Sequence, residues 1–373
     1  MKNSGSRRLA AILALSLGVA IPATSWADIL LGHSGDLSGT SAALTRDYLR
    51  GMTAYFDDLN KKGGIRGEKI KLVSLDDGFN PDKTMENTKA LIDQNALALV
   101  GYRGTANVLK IMPVVQAAGI AQVGNTSGAK SLRDPFVQNV FHVRASTTDE
   151  IEAAVGHAWT VGVTRIGAVY QDDAFGKEGL EALNAALKKR GGAAAAVAPV
   201  PRGTVEVAAA ADAMVAAKPQ AVLFIGQSKP AAALIKAVRG KGVNPQFFVL
   251  SVASGLHADL GEAAAGVVAS QVVPYPFTEL GNPVVREYQT IITKTPETKF
   301  SYNSMEGFLN AKLIARAISK TPAPVTRAKL LSTLEALNAE DLGGFAVSYG
   351  KQSNLGSRFV ALTMIRKDGT FAR

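Results

Sequence analysis

The chain has 373 residues, 47% of them hydrophobic, which is enough for one large or two ordinary domains. Aromatics make up only 6% against 36 glycines, pointing to close helix–sheet packing, and the complete absence of cysteine excludes disulfides, thiolate chemistry, cysteine-ligated zinc and a lipidated N-terminal cysteine. The net charge of +10 is spread thinly over places such as Lys61-Lys62, Lys188-Lys189-Arg190 and Arg239-Gly240-Lys241, near predicted helix ends, so a nucleic-acid groove is not expected.

In chain order, Lys2, Arg7 and Arg8 precede an apolar run over 9–21, then Pro22 and the small-residue pattern Ser25-Trp26-Ala27. This layout predicts a secretory signal peptide over 1–27, too short for a comfortable membrane span of about 20 residues. From Asp28 onward strand and helix patterns alternate. A strand over 29–32 leads to a helix whose Leu49, Met52, Tyr55, Phe56 and Leu59 share one stripe, ended by Lys62-Gly63-Gly64. A strand closing at Asp76-Asp77 and a helix from Pro81 follow, then strands over 97–100 and 120–123. The alternation repeats with strands at 166–170, 194–200, 221–226, 247–251 and 267–273. Helices are predicted over 283–293, 302–318 and 326–337, and final strands at 345–349 and 358–365. Such a series predicts two doubly wound α/β lobes.

The most informative stretch lies between 96 and 134. Two apolar runs each break into a turn rich in glycine and hydroxyls, Gly101-Tyr102-Arg103-Gly104-Thr105 and Gly124-Asn125-Thr126-Ser127-Gly128. In a parallel sheet such carboxyl ends share one edge, where ligands sit. Glycine admits a ligand close to the backbone, and the first turn of a helix offers unpaired N–H groups to an anion. Thr105, Thr126 and Ser127 therefore suit a small carboxylate, with Arg103 either adding a cation or pointing to solvent. The alternative is that Thr105 and Thr126 are only helix N-caps.

Reactive chemistry is not foreseen. His33, His142, His157 and His257 are scattered without ligand spacing, no G-x-S-x-G elbow occurs, and no strand–helix turn carries G-x-G-x-x-G. Gly124–Ser131 superficially resembles a phosphate loop but has three residues between its glycines instead of four, and Ala129 separates Gly128 from Lys130. Asp76-Asp77 and Asp172-Asp173 are adjacent carboxylates at strand ends, so at most one of each pair faces a cleft. No catalytic residue, cofactor or metal site is expected.

The segments Leu37-Ser38-Gly39, Asn60-Lys61-Lys62-Gly63-Gly64-Ile65-Arg66-Gly67, Asp76-Asp77 and Tyr170-Gln171-Asp172-Asp173-Ala174-Phe175-Gly176 resemble the type I periplasmic binding proteins, and within them the Leu/Ile/Val-binding group. The resemblance covers the whole chain after the leader. It implies two Rossmann-like lobes joined by three hinge crossings, the first from 28–146 plus 277–349 and the second from 147–276 plus 350–373. The expected hinges lie near 144–147, 274–277 and 349–355. It also implies that Thr105 binds a solute carboxylate, that Thr126 and Gly128 sit in the second binding turn, and that Tyr170, Asp172 and Phe175 come from the second lobe. Ser251-Val252-Ala253-Ser254 stands where amino-acid binders commonly place an acid for the ammonium group, Gly128 replaces a usual hydroxyl, and Leu44 a frequent aromatic. These departures point away from an ordinary α-amino acid, although Asp172 could serve the ammonium instead. The implied function is periplasmic capture of an amino acid or related carboxylate, as a soluble monomer without a lipid anchor, for the permease of an ABC importer. An exported sensor that docks on a membrane receptor is the alternative.

Overall fold

The computed structural model describes residues 28–278 and 281–373, so the leader expected over 1–27 lies outside the described residues. The first half runs β1 (Ile29–Gly35), α1 (Ala42–Lys61), β2 (Ile70–Asp76), α2 (Pro81–Asp93), β3 (Ala98–Val100), α3 (Thr105–Ala117), β4 (Ala121–Val123) and β5 (Val140–Phe141). These strands pair in parallel in the order β2-β1-β3-β4-β5. Local chemistry fixes the elements: α2, for instance, starts at Asn80, whose side chain accepts from the N–H groups of Asp82 and Lys83, with Pro81 in the first turn where no donor is needed.

The second half runs α4 (Thr147–Thr160), β6 (Ile166–Asp172), α5 (Ala174–Lys188), β7 (Val197–Pro201), α6 (Ala208–Ala217), β8 (Ala221–Ile225), α7 (Ser228–Gly240), β9 (Gln246–Val249), α8 (Leu256–Leu260) and β10 (Val268–Gln271). The chain then returns to the first lobe as α9 (Pro283–Ile292), α10 (Tyr302–Lys320), α11 (Arg327–Glu335) and a small sheet of β11 (Glu340–Asp341), β12 (Ala346–Gly350) and β13 (Ser353–Gly356). It ends in the second sheet with β14 (Ala361–Ile365) and β15 (Phe371–Ala372). That sheet has the order β7-β6-β8-β9-β10-β14-β15, with all strands running one way except β14, which pairs antiparallel with both of its neighbours. Its opening five strands repeat the winding of the first sheet. Ala221–Ile225 is buried throughout, as expected of a parallel strand covered by helices on both faces.

The strand expected over 194–200 begins at Val197, and the one expected over 247–251 stops at Val249, because Ser251 already turns into a short 3-10 helix. The run 345–349 belongs to the small sheet and not to the second lobe's main sheet, and β15 had no sequence signal. The three passages between sheets lie around 142–146, 272–282 and 357–360. The last falls beyond the expected 349–355, because β13 stays beside β5: His142 N–H donates to the Asn354 carbonyl at 3.0 Å.

Candidate functional site

The carboxyl ends of both parallel sheets face a shared, narrow cleft. From the first lobe Phe79 follows β2, Arg103, Gly104 and Thr105 follow β3, and Thr126 and Ser127 follow β4. From the second, Gln171, Asp173 and Phe175 come from the end of β6 and the start of α5, Gln227 follows β8 and Val252 follows β9. Ligand position at the switch point of a doubly wound sheet is thus met twice.

The hydroxyl turns are not caps. Gly104 is the N-cap of α3, at φ 90° and ψ 124°, and Thr105 is its first helical residue. A Cβ on Gly104 would lie 2.8 Å from the Phe79 ring and 2.9 Å from Asn107 Oδ1, so only glycine fits this approach. Thr105 Oγ1 and Ser127 Oγ share a hydrogen bond of 2.6 Å, while Thr126 Oγ1 is buried with no partner. Beside them Arg103 is 3% exposed, and its Nη1 also lacks any hydrogen-bond partner. Desolvation by burial pulls the Arg103 pKa down, against the pull of the Glu306 carboxylate. Phe79 adopts φ 63°, a left-handed conformation rare for a bulky residue, held by its N–H on Asp77 Oδ1 at 2.9 Å.

Beneath the cleft, Arg144 in the first passage is fully enclosed. It donates to the Thr126 carbonyl at 2.7 Å and to Glu150 Oε1 at 3.0 Å, lies 3.4 Å from Glu306, and contacts Ser251 Oγ. Glu150 in turn accepts from the Ser251 N–H at 2.8 Å and from Ser270 Oγ. The network ties the Thr126 turn of one lobe to the end of β9 in the other.

Five expected site residues, Arg103, Thr105, Thr126, Ser127 and Phe175, come together on the cleft wall. Gly128, Tyr170 and Asp172 do not. Gly128 instead admits the first passage, since a Cβ there would lie 2.5 Å from Thr147 N. Tyr170 and Asp172 share the face of β6 opposite to Gln171, by strand alternation: Tyr170 packs on the second lobe's core and Asp172 pairs with Lys177 at 2.9 Å. Asp173 takes the cleft position that Asp172 was expected to hold. The carboxylates Asp76 and Asp77 are occupied by loop N–H and hydroxyl donors outside the cleft lining. Gln171, Gln227, Val252 and Phe79 were missed, although each lies at or just after the carboxyl end of a parallel strand and the same rule that selected Thr105 selects them. No group of three or more potential metal ligands occurs among the described residues, nor is any described helix long and apolar enough to cross a membrane.

Two doubly wound lobes meeting at their strand ends around an enclosed cleft define a type I periplasmic binding fold. The chain matches the family description of periplasmic binding proteins over residues 28–370. A substrate-binding periplasmic protein from Ralstonia solanacearum is 34% identical, with 92% of this chain and 99% of that one aligned at a TM-score of 0.87. A Leu/Ile/Val-binding protein homolog from Brucella abortus is 25% identical over 96% of this chain and 93% of its own length. An amino acid binding protein from Pseudomonas aeruginosa is 27% identical over a stretch covering 63% of this chain and 63% of that relative. The chain belongs to the periplasmic binding protein family, a family of solute-binding proteins.

Proposed function

We propose that the protein captures a small carboxylate by lobe closure in the periplasm and delivers it to the membrane permease of an ABC importer. The observation that carries this reading is the pair of buried, unpartnered polar groups on the cleft wall, Arg103 Nη1 and Thr126 Oγ1. A buried donor without a partner is costly, and a carboxylate satisfies both groups while neutralising the guanidinium. The amino-acid names carried by relatives support a solute of that size and acid group. On the same lining, Phe79, Phe175 and Val252 favour an apolar body, and Gln171 and Gln227 a neutral polar substituent.

Mass spectrometry of ligand released from the purified, denatured protein should find a small carboxylic acid. Calorimetric titration of that acid into Arg103→Met should show at least a tenfold loss, because a hydrogen bond to a charged group contributes about 1.5–3 kcal/mol and 1.4 kcal/mol is a factor of ten. A released solute without an acid group, or an unchanged affinity in the variant, overturns the reading.

A further inference from the structure

Asp173 is the one carboxylate among the described residues that line the cleft, and three hydrogen bonds, one of them from an arginine, already fill most of its acceptor sites. One oxygen caps α5 by accepting from the Gly176 N–H at 3.1 Å. The other accepts from Gln171 Nε2 at 2.6 Å and from Arg202 Nε at 3.2 Å. Arg202 immediately follows β7, so it too stands at a strand's carboxyl end. Its Nη2 donates across to Asn107 Oδ1 of the first lobe at 2.6 Å, and its guanidinium lies 4.0 Å from the centre of the Phe79 ring. The two side chains are 22% and 8% exposed, so solvent screens this pair far less than a surface ion pair. The other buried carboxylates nearby lie outside the lining: Asp36 takes the N–H groups of Gly39 and Ser41, Asp77 takes Ser34, Thr84 and the Phe79 N–H, and Glu150 and Glu306 flank Arg144.

We propose that Arg202 determines specificity: by pairing with Asp173 it withdraws the cleft's one anchor for an ammonium and directs the site toward carboxylates that lack an α-amino group. This rests on the carboxylate reading above and adds what the rest of the ligand must be. An amino acid entering the cleft carries an ammonium that must leave water, and an unpaired carboxylate charge is its best compensation. The charge of Asp173 is already balanced by Arg202, which three separate contacts hold in place. A 2-oxo or hydroxy acid meets no such obstacle, since Gln171 and Gln227 offer amide groups to a neutral oxygen. Arg202 acts on the ligand through Asp173 and is in that sense a positioning residue.

The test compares L-leucine with 4-methyl-2-oxopentanoate by calorimetry on the full protein. Wild type should bind the 2-oxo acid more tightly. Arg202→Gln places a neutral amide about where Nε stands beside Asp173 and gives up the ion pair and the reach to Asn107. It should shift the affinity ratio toward leucine by tenfold or more. Adding Asp173→Asn, which retains a good helix cap, should cancel that shift, and Arg202→Lys should preserve the wild-type preference. A purely structural role for Arg202 would lower both affinities together. An unchanged ratio in Arg202→Gln, a parallel loss of both acids, or a shift that survives Asp173→Asn overturns the inference while leaving the carboxylate reading standing. If neither acid binds the wild type and no carboxylic acid is released on denaturation, the carboxylate reading falls and this inference with it.

Discussion

His33 stands in the middle of β1 with no exposure, its Nδ1 bonded to the Val100 carbonyl at 2.9 Å and its Nε2 without a partner. Burial, only partly offset by that bond and reinforced by the charge on Arg103, brings its pKa down from 6.5 to about 4. The unfolded chain therefore takes up a proton below pH 6.5 that the folded chain refuses until about pH 4. The neutral ring's contribution is complete above that window and drains away as pH falls through it, reaching a loss of about 2 kcal/mol at pH 5. Urea unfolding at pH 7.5 and pH 5 should show a smaller acid loss in His33→Asn, which keeps a donor for the Val100 carbonyl; equal losses would refute the assignment. At this scale the sequence was legible where chemistry follows position in a turn, as for Arg103, Thr105, Thr126 and Ser127. It was not legible where one step of strand parity decides: alternation required that Asp172 and Asp173 part company, and only the register of β6 says which enters the cleft.

Helices α1 and α10 cross at two glycines, residues that ordinarily cost a helix interior about 1 kcal/mol each relative to alanine. A Cβ on Gly51 would lie 1.8 Å from the Ser304 carbonyl oxygen, and one on Gly307 would lie 1.9 Å from the Tyr48 carbonyl oxygen. The obstacle is backbone in both cases, so it cannot be relieved by a rotamer change. Gly307→Ala should lower stability by about 1–3 kcal/mol or more through overpacking, despite alanine's better helix propensity. Denaturant midpoints decide this, and a stabilised variant would mean that the helices part without cost. Tyr48 also reaches from this crossing to the start of the second hydroxyl turn, donating to the Gly124 carbonyl at 3.1 Å and accepting from Asn310, so the packing bears on that turn. Mid-helix glycines in otherwise well-patterned helices were the available sequence signal for this contact. The helical stripe alone gave the buried face but not its partner, which lies some 250 residues further along the chain.

Across the molecule, the lobes touch at several points around the cleft mouth. Ser41 donates to Gln227 at 3.2 Å, the Ser131 N–H to Glu178 at 3.0 Å, and Arg202 to Asn107 at 2.6 Å. These contacts join elements connected only through the three passages, so opening the cleft must break them. Small-angle scattering should therefore show a larger radius of gyration for ligand-stripped protein than for protein saturated with its released acid, since the solute must favour the closed form to hold it. An identical radius in both states would argue for a rigid cleft. The two-lobed plan was readable from the alternation of strands and helices, because each parallel strand needs its own crossover. The return of the chain through β11–β13 was not, because short edge strands carry little periodicity. Both lobes repeat one winding, β2-β1-β3-β4-β5 and β7-β6-β8-β9-β10, and each offers its strand ends to the other. On the proposed reading each lobe is half of a bivalent receptor, and the solute is the cross-link between the halves. Once one half has engaged the solute, the second would meet it not at its concentration in solution but at the effective concentration imposed by the passages between the lobes, so changes in those passages should tune avidity without altering a single wall residue.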